Sequence, residues 1–188
     1  MRQTGEYRLD AGRQAVWDAL NDPDVLMRCI DGCESLERAG DDVFKARVRA
    51  KVGPLSAAFD GEVKLADLDP PRGYTLEVSA KGGAAGFGRG VAKVALEEDG
   101  GGTRLTYEAE GSVGGKLAQI GQRFIDAAAR KTADDFFARL GEIVAPGGAT
   151  KTDAGPAPAS GGMGVWLIVG GIAVAIALAA VVVVLLRH

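Results

Sequence analysis

Residues 44–65 read FKARVRAKVGPLSAAFDGEVKL, and this stretch decides the fold. Phe44, Ala46, Val48, Ala50 and Val52 alternate with Lys45, Arg47, Arg49 and Lys51. After Gly53-Pro54 the alternation resumes, with Leu55, Ala57, Phe59, Gly61, Val63 and Leu65 set against Ser56, Ala58, Asp60, Glu62 and Lys64. A period of two sends the two sets to opposite sides of a pleated strand. Two such runs joined by a Gly-Pro turn predict an antiparallel hairpin with one apolar and one wet face.

Outward from that hairpin the pattern repeats. Tyr74, Leu76, Val78 and Ala80 form another apolar row, as do Leu105, Tyr107, Ala109, Gly111 and Val113, with a strand through Val91–Leu96 between them. Gly53-Pro54, Asp69-Pro70-Pro71-Arg72-Gly73, the glycine run 82–90 and Asp99-Gly100-Gly101-Gly102 supply the turns. A short strand around Glu6–Leu9 precedes a helix over Ala11–Leu20, which Asn21-Asp22-Pro23 stops before a second short helix, Pro23–Arg28. From about Lys116 to Ile143 a long helix carries a stripe of Leu117, Ile120, Gly121, Phe124, Ile125, Ala128, Thr132, Phe136, Leu140 and Ile143. The class is α+β: a curved antiparallel sheet of six to seven strands whose apolar face must receive the long helix.

The order and the segments GEYRL (5–9), AVWDALNDPDVL (15–26), CIDGCESLE (29–37), AKVGPLSAAF (50–59), DLDPPRGYTL (67–76), KGGAAGFGRG (81–90) and GGKLAQIGQRFID (114–126) resemble the G-subunit family of carbon monoxide dehydrogenase. That family has the START/Bet v 1-like helix-grip fold, and the resemblance covers residues 3–142. It implies an apolar cavity between sheet and helix that carries a lipid such as a respiratory quinone. It also implies a partner, an aerobic molybdenum-containing carbon monoxide dehydrogenase or related hydroxylase, recruited to the membrane.

Composition narrows the chemistry independently. Of 188 residues 22 are Lys or Arg and 25 Asp or Glu, and the single histidine is the last residue, so a histidine-based metal site or triad is not expected. The mildly acidic balance argues against nucleic acid. Cys29 and Cys33 lack further thiol or histidine ligands and read as reduced thiols, not a zinc site. The inward rows are uncharged and only Tyr74 and Tyr107 carry a polar group, so the cavity that the resemblance implies, lined by Phe44, Val48, Phe59, Tyr74, Leu76, Val94, Tyr107, Phe124, Ile125 and Ala128, suits an apolar ligand oriented by tyrosine hydroxyls. The alternative is that sheet and helix pack solidly, with the tyrosines as ordinary core. No covalent cofactor is expected. Relatives with this fold include cyclases and aromatases. That alternative needs an inward acid or base, whereas Asp60, Glu62, Glu77, Glu108 and Glu110 are predicted to face outward.

Two surface features are candidates for partners. In the glycine run, Gly86, Phe87 and Arg89 read as a hairpin or a docking loop beside the cavity mouth. The run has no phosphate-loop spacing. Lys45, Arg47, Arg49 and Lys51 form a basic row that is either solvated or drawn to anionic headgroups at about 1 kcal/mol per residue.

The C-terminal part reads differently. Met163–Leu186 is 24 residues without a charge, a helix of about 36 Å and long enough to cross a bilayer. The chain thus divides into a domain over 1–145, a flexible Pro/Gly/Ala linker over 146–162 and a transmembrane tail anchor over 163–186. The N-terminus has no apolar signal segment, so the domain is expected on the cytoplasmic side.

Overall fold

The structure, a computed structural model, describes residues 2–146. The linker and tail anchor read from the sequence lie outside the described residues. Seven strands, β1 (Arg2–Leu9), β2 (Cys33–Arg38), β3 (Val43–Val52), β4 (Leu55–Asp69), β5 (Gly73–Lys81), β6 (Phe87–Asp99) and β7 (Gly102–Gly114), form one antiparallel sheet. Their order is β1-β7-β6-β5-β4-β3-β2, so consecutive strands pair as hairpins and only β1 is placed out of sequence, at the β7 edge. Helices α1 (Arg13–Ala19) and α2 (Pro23–Cys29) bridge β1 to β2, and α3 (Lys116–Gln119) and α4 (Gln122–Val144) follow β7.

The alternation read at 44–65 is realised. Phe44, Ala46, Val48 and Val52 are buried while Lys45, Arg47, Arg49 and Lys51 are exposed. The register stacks the apolar sets into rows across strands: Phe44, Val63, Val78 and Gly90 in one, Leu65, Leu76, Ala92 and Ala109 in the next, Tyr74, Val94 and Tyr107 in the third. Burying such rows removes about 25 cal/mol of unfavourable hydration per Å² and supplies the main drive for folding. Asp22 caps α2, its carboxylate accepting the Asp24 backbone N–H at 2.8 Å, with Pro23 at the first helical position.

Three expectations change. The first strand starts at Arg2, four residues earlier than its visible alternation. The glycine run is less loop than its composition suggests, since Gly83–Ala85 is a 3₁₀ turn and Phe87–Gly90 already belong to β6. The closing helix is interrupted: Gly121 adopts φ +97°, so α3 ends and α4 starts afresh. That break rotates the buried stripe. Ile125, Ala129, Ala133, Phe136, Phe137 and Leu140 face the sheet, and Phe124, expected inside, is 57% exposed.

The end of the sheet where these departures gather is tightly joined. Gly86 (φ +117°) lies so close to the start of α3 that a Cβ there would stand 2.0 Å from the Gly114 carbonyl oxygen. Only glycine fits that approach. The Phe87 ring covers Gly114, and Ile120 and Phe124 lie against Gly53 of the β3–β4 turn.

Candidate ligand-binding site

Between the concave face and α4 the two inward tyrosines occupy very different surroundings. Tyr107 stands opposite Gly5 of β1, and its ring lies over that glycine, where a Cβ would meet Cε1 at 2.4 Å. The ring thereby reaches the β1 edge, and its hydroxyl shares a hydrogen bond with Tyr7. Tyr7 in turn donates to Asp134 Oδ1 of α4 at 2.9 Å, with the Phe137 ring stacked on it at 4.0 Å. Burial, reinforced by the bond to Asp134, holds the Tyr7 phenol well above its ordinary range. Tyr107 is therefore committed to tying β1 and β7 to α4.

Tyr74 has no such partner. It sits on β5 opposite Val94 and edge-on to Trp17 of α1, at 5.6 Å between ring centroids. Its hydroxyl is buried without a hydrogen-bond partner among the described residues, and desolvation raises its pKa well above 10. A buried hydroxyl left unpaired costs about 1–3 kcal/mol, which a ligand carbonyl would recover. On the same face Gln3, beside Ala109 in register, holds a buried Oε1 that also lacks a partner. Gln3 escaped the sequence reading because it precedes the recognisable alternation. Trp17 escaped because it follows Val16 at an angle of about 100° on a seven-residue helix.

The other predicted lining residues fall as follows. Phe44, Val48, Phe59, Leu76, Val94 and Ile125 are buried on the inner side, and Ala128 is half-buried. Phe124 lies outside that set. Asp60, Glu62, Glu77, Glu108 and Glu110 lie on the outer side, as their register requires. Four grooves among the described residues, of about 430 to 820 Å³, also open on that outer side or at its tip. The largest runs past Arg2, Glu77, Arg89, Val91 and Glu110. The inner space is occupied by side chains such as Leu96, Leu105, Leu117, Phe136 and Leu140, all fully buried or nearly so.

The basic row is partly neutralised. Arg47 pairs with Asp60 at 2.7 Å and with Glu34 at 3.2 Å, and Arg49 pairs with Glu34 at 2.9 Å. Exposed pairs of this kind add little stability, but they do remove free positive charge from the row. Phe87 and Arg89 project from the start of β6 and are exposed. Cys29 is buried, with its thiol pushed up to about 11 by desolvation, and Cys33 is half-buried; both are free thiols. Among the described residues no group of three or more His, Cys, Asp or Glu could hold a metal ion.

An antiparallel sheet gripping a C-terminal helix, with a buried apolar face between them, is the arrangement of Bet v 1-like, START-related proteins. A crystal structure of a conserved protein from Geobacillus kaustophilus is similar at 33% identity and TM-score 0.72, covering 77% of this chain and 95% of that one. Structures from Chromobacterium violaceum (16% identity, TM-score 0.60, 77% and 98% covered) and Thermus thermophilus (16%, 0.58, 77% and 97%) share the fold. The chain belongs to the carbon monoxide dehydrogenase G-subunit (CoxG) family, whose model matches residues 5–145. No curated protein matches it.

Proposed function

We propose that this protein is a membrane-anchored accessory protein that binds a hydrophobic ligand, a respiratory quinone, and couples an aerobic molybdenum-containing carbon monoxide dehydrogenase to the cytoplasmic membrane. The observation that carries the ligand reading is the Tyr74 hydroxyl, buried and unpartnered on an otherwise apolar face. A quinone offers what the hydroxyl lacks, a carbonyl oxygen to accept its proton, and its flat ring would enter by displacing side chains packed around Val94, Leu76 and Trp17. Membership of the CoxG family supports the partner, and the charge-free run 163–186 supports the anchor. In this reading the domain takes its ligand from the bilayer and presents it to the dehydrogenase, with no chemistry of its own.

Native mass spectrometry and lipid extraction of the full chain, purified in mild detergent, test the ligand. Quinone should accompany the protein, and Tyr74→Phe should lower its retention about fivefold while leaving the empty domain as stable or more so. Protein that carries no lipid and takes up no quinone reduces the role to recruitment. Truncation after Gly162 tests recruitment separately: the domain and the dehydrogenase activity should both move to the soluble fraction. Activity that stays with membranes refutes coupling through this chain.

A further inference from the structure

Three connections far apart in sequence converge at one end of the sheet: the β3–β4 turn, the β5–β6 turn and the β7–α4 passage. Gly53 touches Ile120 and Phe124, and Gly86 abuts Gly114 and Gly115. The segments that build this tip, 49–58, 79–90 and 112–125, hold six basic residues, all exposed, and no acidic one. Arg49 is paired with Glu34, whereas Lys51, Lys81, Arg89, Lys116 and Arg123 form no ion pair among the described residues. Acids stand just behind the tip on the adjoining strands and helix: Asp60, opposite Lys81 and bonded to Arg47; Glu62, Glu77 and Glu110, which line one groove with Arg89; and Asp126 on α4. Among these cations stand Phe87, 48% exposed, and Phe124, 57% exposed. Cations surrounding exposed aromatic rings match a bilayer interface, where rings sit at headgroup level and ammonium and guanidinium groups meet anionic lipid.

We propose that this tip docks on the surface of a bilayer containing anionic phospholipid, and that it, not the basic row on β3, orients the domain against the membrane. The proposal rests on charge and exposure at the tip and is independent of what the interior binds. Geometry constrains it. Helix α4 starts at the tip and runs 23 residues, about 34 Å, to the opposite end, where Gly141 packs on Leu9. A membrane segment beginning at Met163 must therefore be reached from the far end of the domain. The sixteen residues 147–162 can extend about 54 Å, enough to return past the domain to the plane in which the tip lies. Anchor and tip can touch one membrane together.

The described domain covers 95% of the Geobacillus chain, which forms this fold as a separate protein, so residues 1–146 can be tested alone. Cosedimentation with vesicles of phosphatidylcholine, with and without phosphatidylglycerol, is the measurement. The domain should favour the anionic vesicles at least tenfold, and Lys81→Glu/Lys116→Glu/Arg123→Glu should remove about tenfold or more of that preference. Phe87→Ser/Phe124→Ser should weaken binding to a similar degree. Lys45→Gln/Arg47→Gln should leave it unchanged, and melting curves of all variants without lipid check that each folds. Equal binding to both vesicle types overturns the proposal, as does loss confined to the Lys45/Arg47 variant. Failure to bind vesicles while the charge-reversal variant loses the dehydrogenase would assign the tip to a protein partner and overturn it too.

Discussion

The two ends of the sheet are built from the same hairpins yet differ in charge and in packing. At the end that carries the turns 39–42, 69–73 and 99–102, acids and bases are interleaved and paired: Arg8 with Asp99 at 3.4 Å, Arg72 with Asp69 at 2.7 Å, Arg13 with Glu98 at 3.1 Å. At the other end five of the six cations form no ion pair among the described residues, and the chain is pressed backbone to backbone at Gly86 and Gly115. A surface that must only stay soluble balances its charges locally. One that leaves a single sign unbalanced and places aromatic rings among it keeps its electrostatic work for something outside the chain.

That contrast can be broken by mutation, and the largest effect is expected at the tight end. Gly86→Val forces a side chain into the Gly114 carbonyl at a backbone angle valine avoids, and should cost about 3 kcal/mol or more in chemical denaturation. A value under about 1 kcal/mol would show that the tip is loosely joined. The matching change at the interleaved end, Gly100→Ala, meets only the far end of Arg8 at 3.5 Å and carries just the left-handed backbone penalty, about 1 kcal/mol. In the interior between the ends, Tyr74→Phe should hold or raise the stability of the empty domain by up to about 1 kcal/mol.

Alkaline titration gives a comparable signal from Cys29. The folded thiol keeps its proton to about pH 11, while an unfolded one loses it near 9, so the folded state holds the extra proton in that window. The Cys29 contribution to stability should therefore fall as pH rises from 9 to 11, and Cys29→Ala should make the slope in that window shallower. The remainder comes from Cys33 and the inward tyrosines, whose protons are also held above their ordinary range. The smallest effect is at the paired end: Arg8→Ala should change stability by less than about 1 kcal/mol. A larger loss would mean that this end, too, depends on its charges.

The sheet was legible because its faces differ at every second residue over whole strands, so pairing could add little that alternation had not set. The helix was less so. Counting at threes and fours from Leu117 runs straight through Gly121, and the restart there shifts the buried phase: Phe124 drops out, Ile125 stays, and Ala129 and Ala133 are buried more deeply than the expected Ala128 and Thr132. Both tyrosines point inward, as the alternation predicts, but their difference depends on what faces them across strands. Gly5 opposite Tyr107, and Tyr7 two residues further on, draw one ring to the edge, while Val94 and Trp17 leave the other hydroxyl unpaired. Nothing local to Tyr74 or Tyr107 distinguishes them. Likewise the cations of the tip lie in three segments that no window along the chain contains together.

The close approach of Gly86 to Gly114 and Gly115 also says where a reporter can be put. At Gly86, Gly114 and Gly115 the tip has no room for an inserted tag or fused reporter, because an insertion there separates two backbones that rest on each other. The Asp99–Gly102 turn at the opposite end is open, with nothing within 4 Å of a Cβ at Gly101. A fluorophore placed in that turn would ride on the side turned away from the docked surface, and its height above the bilayer would report which way up the domain stands.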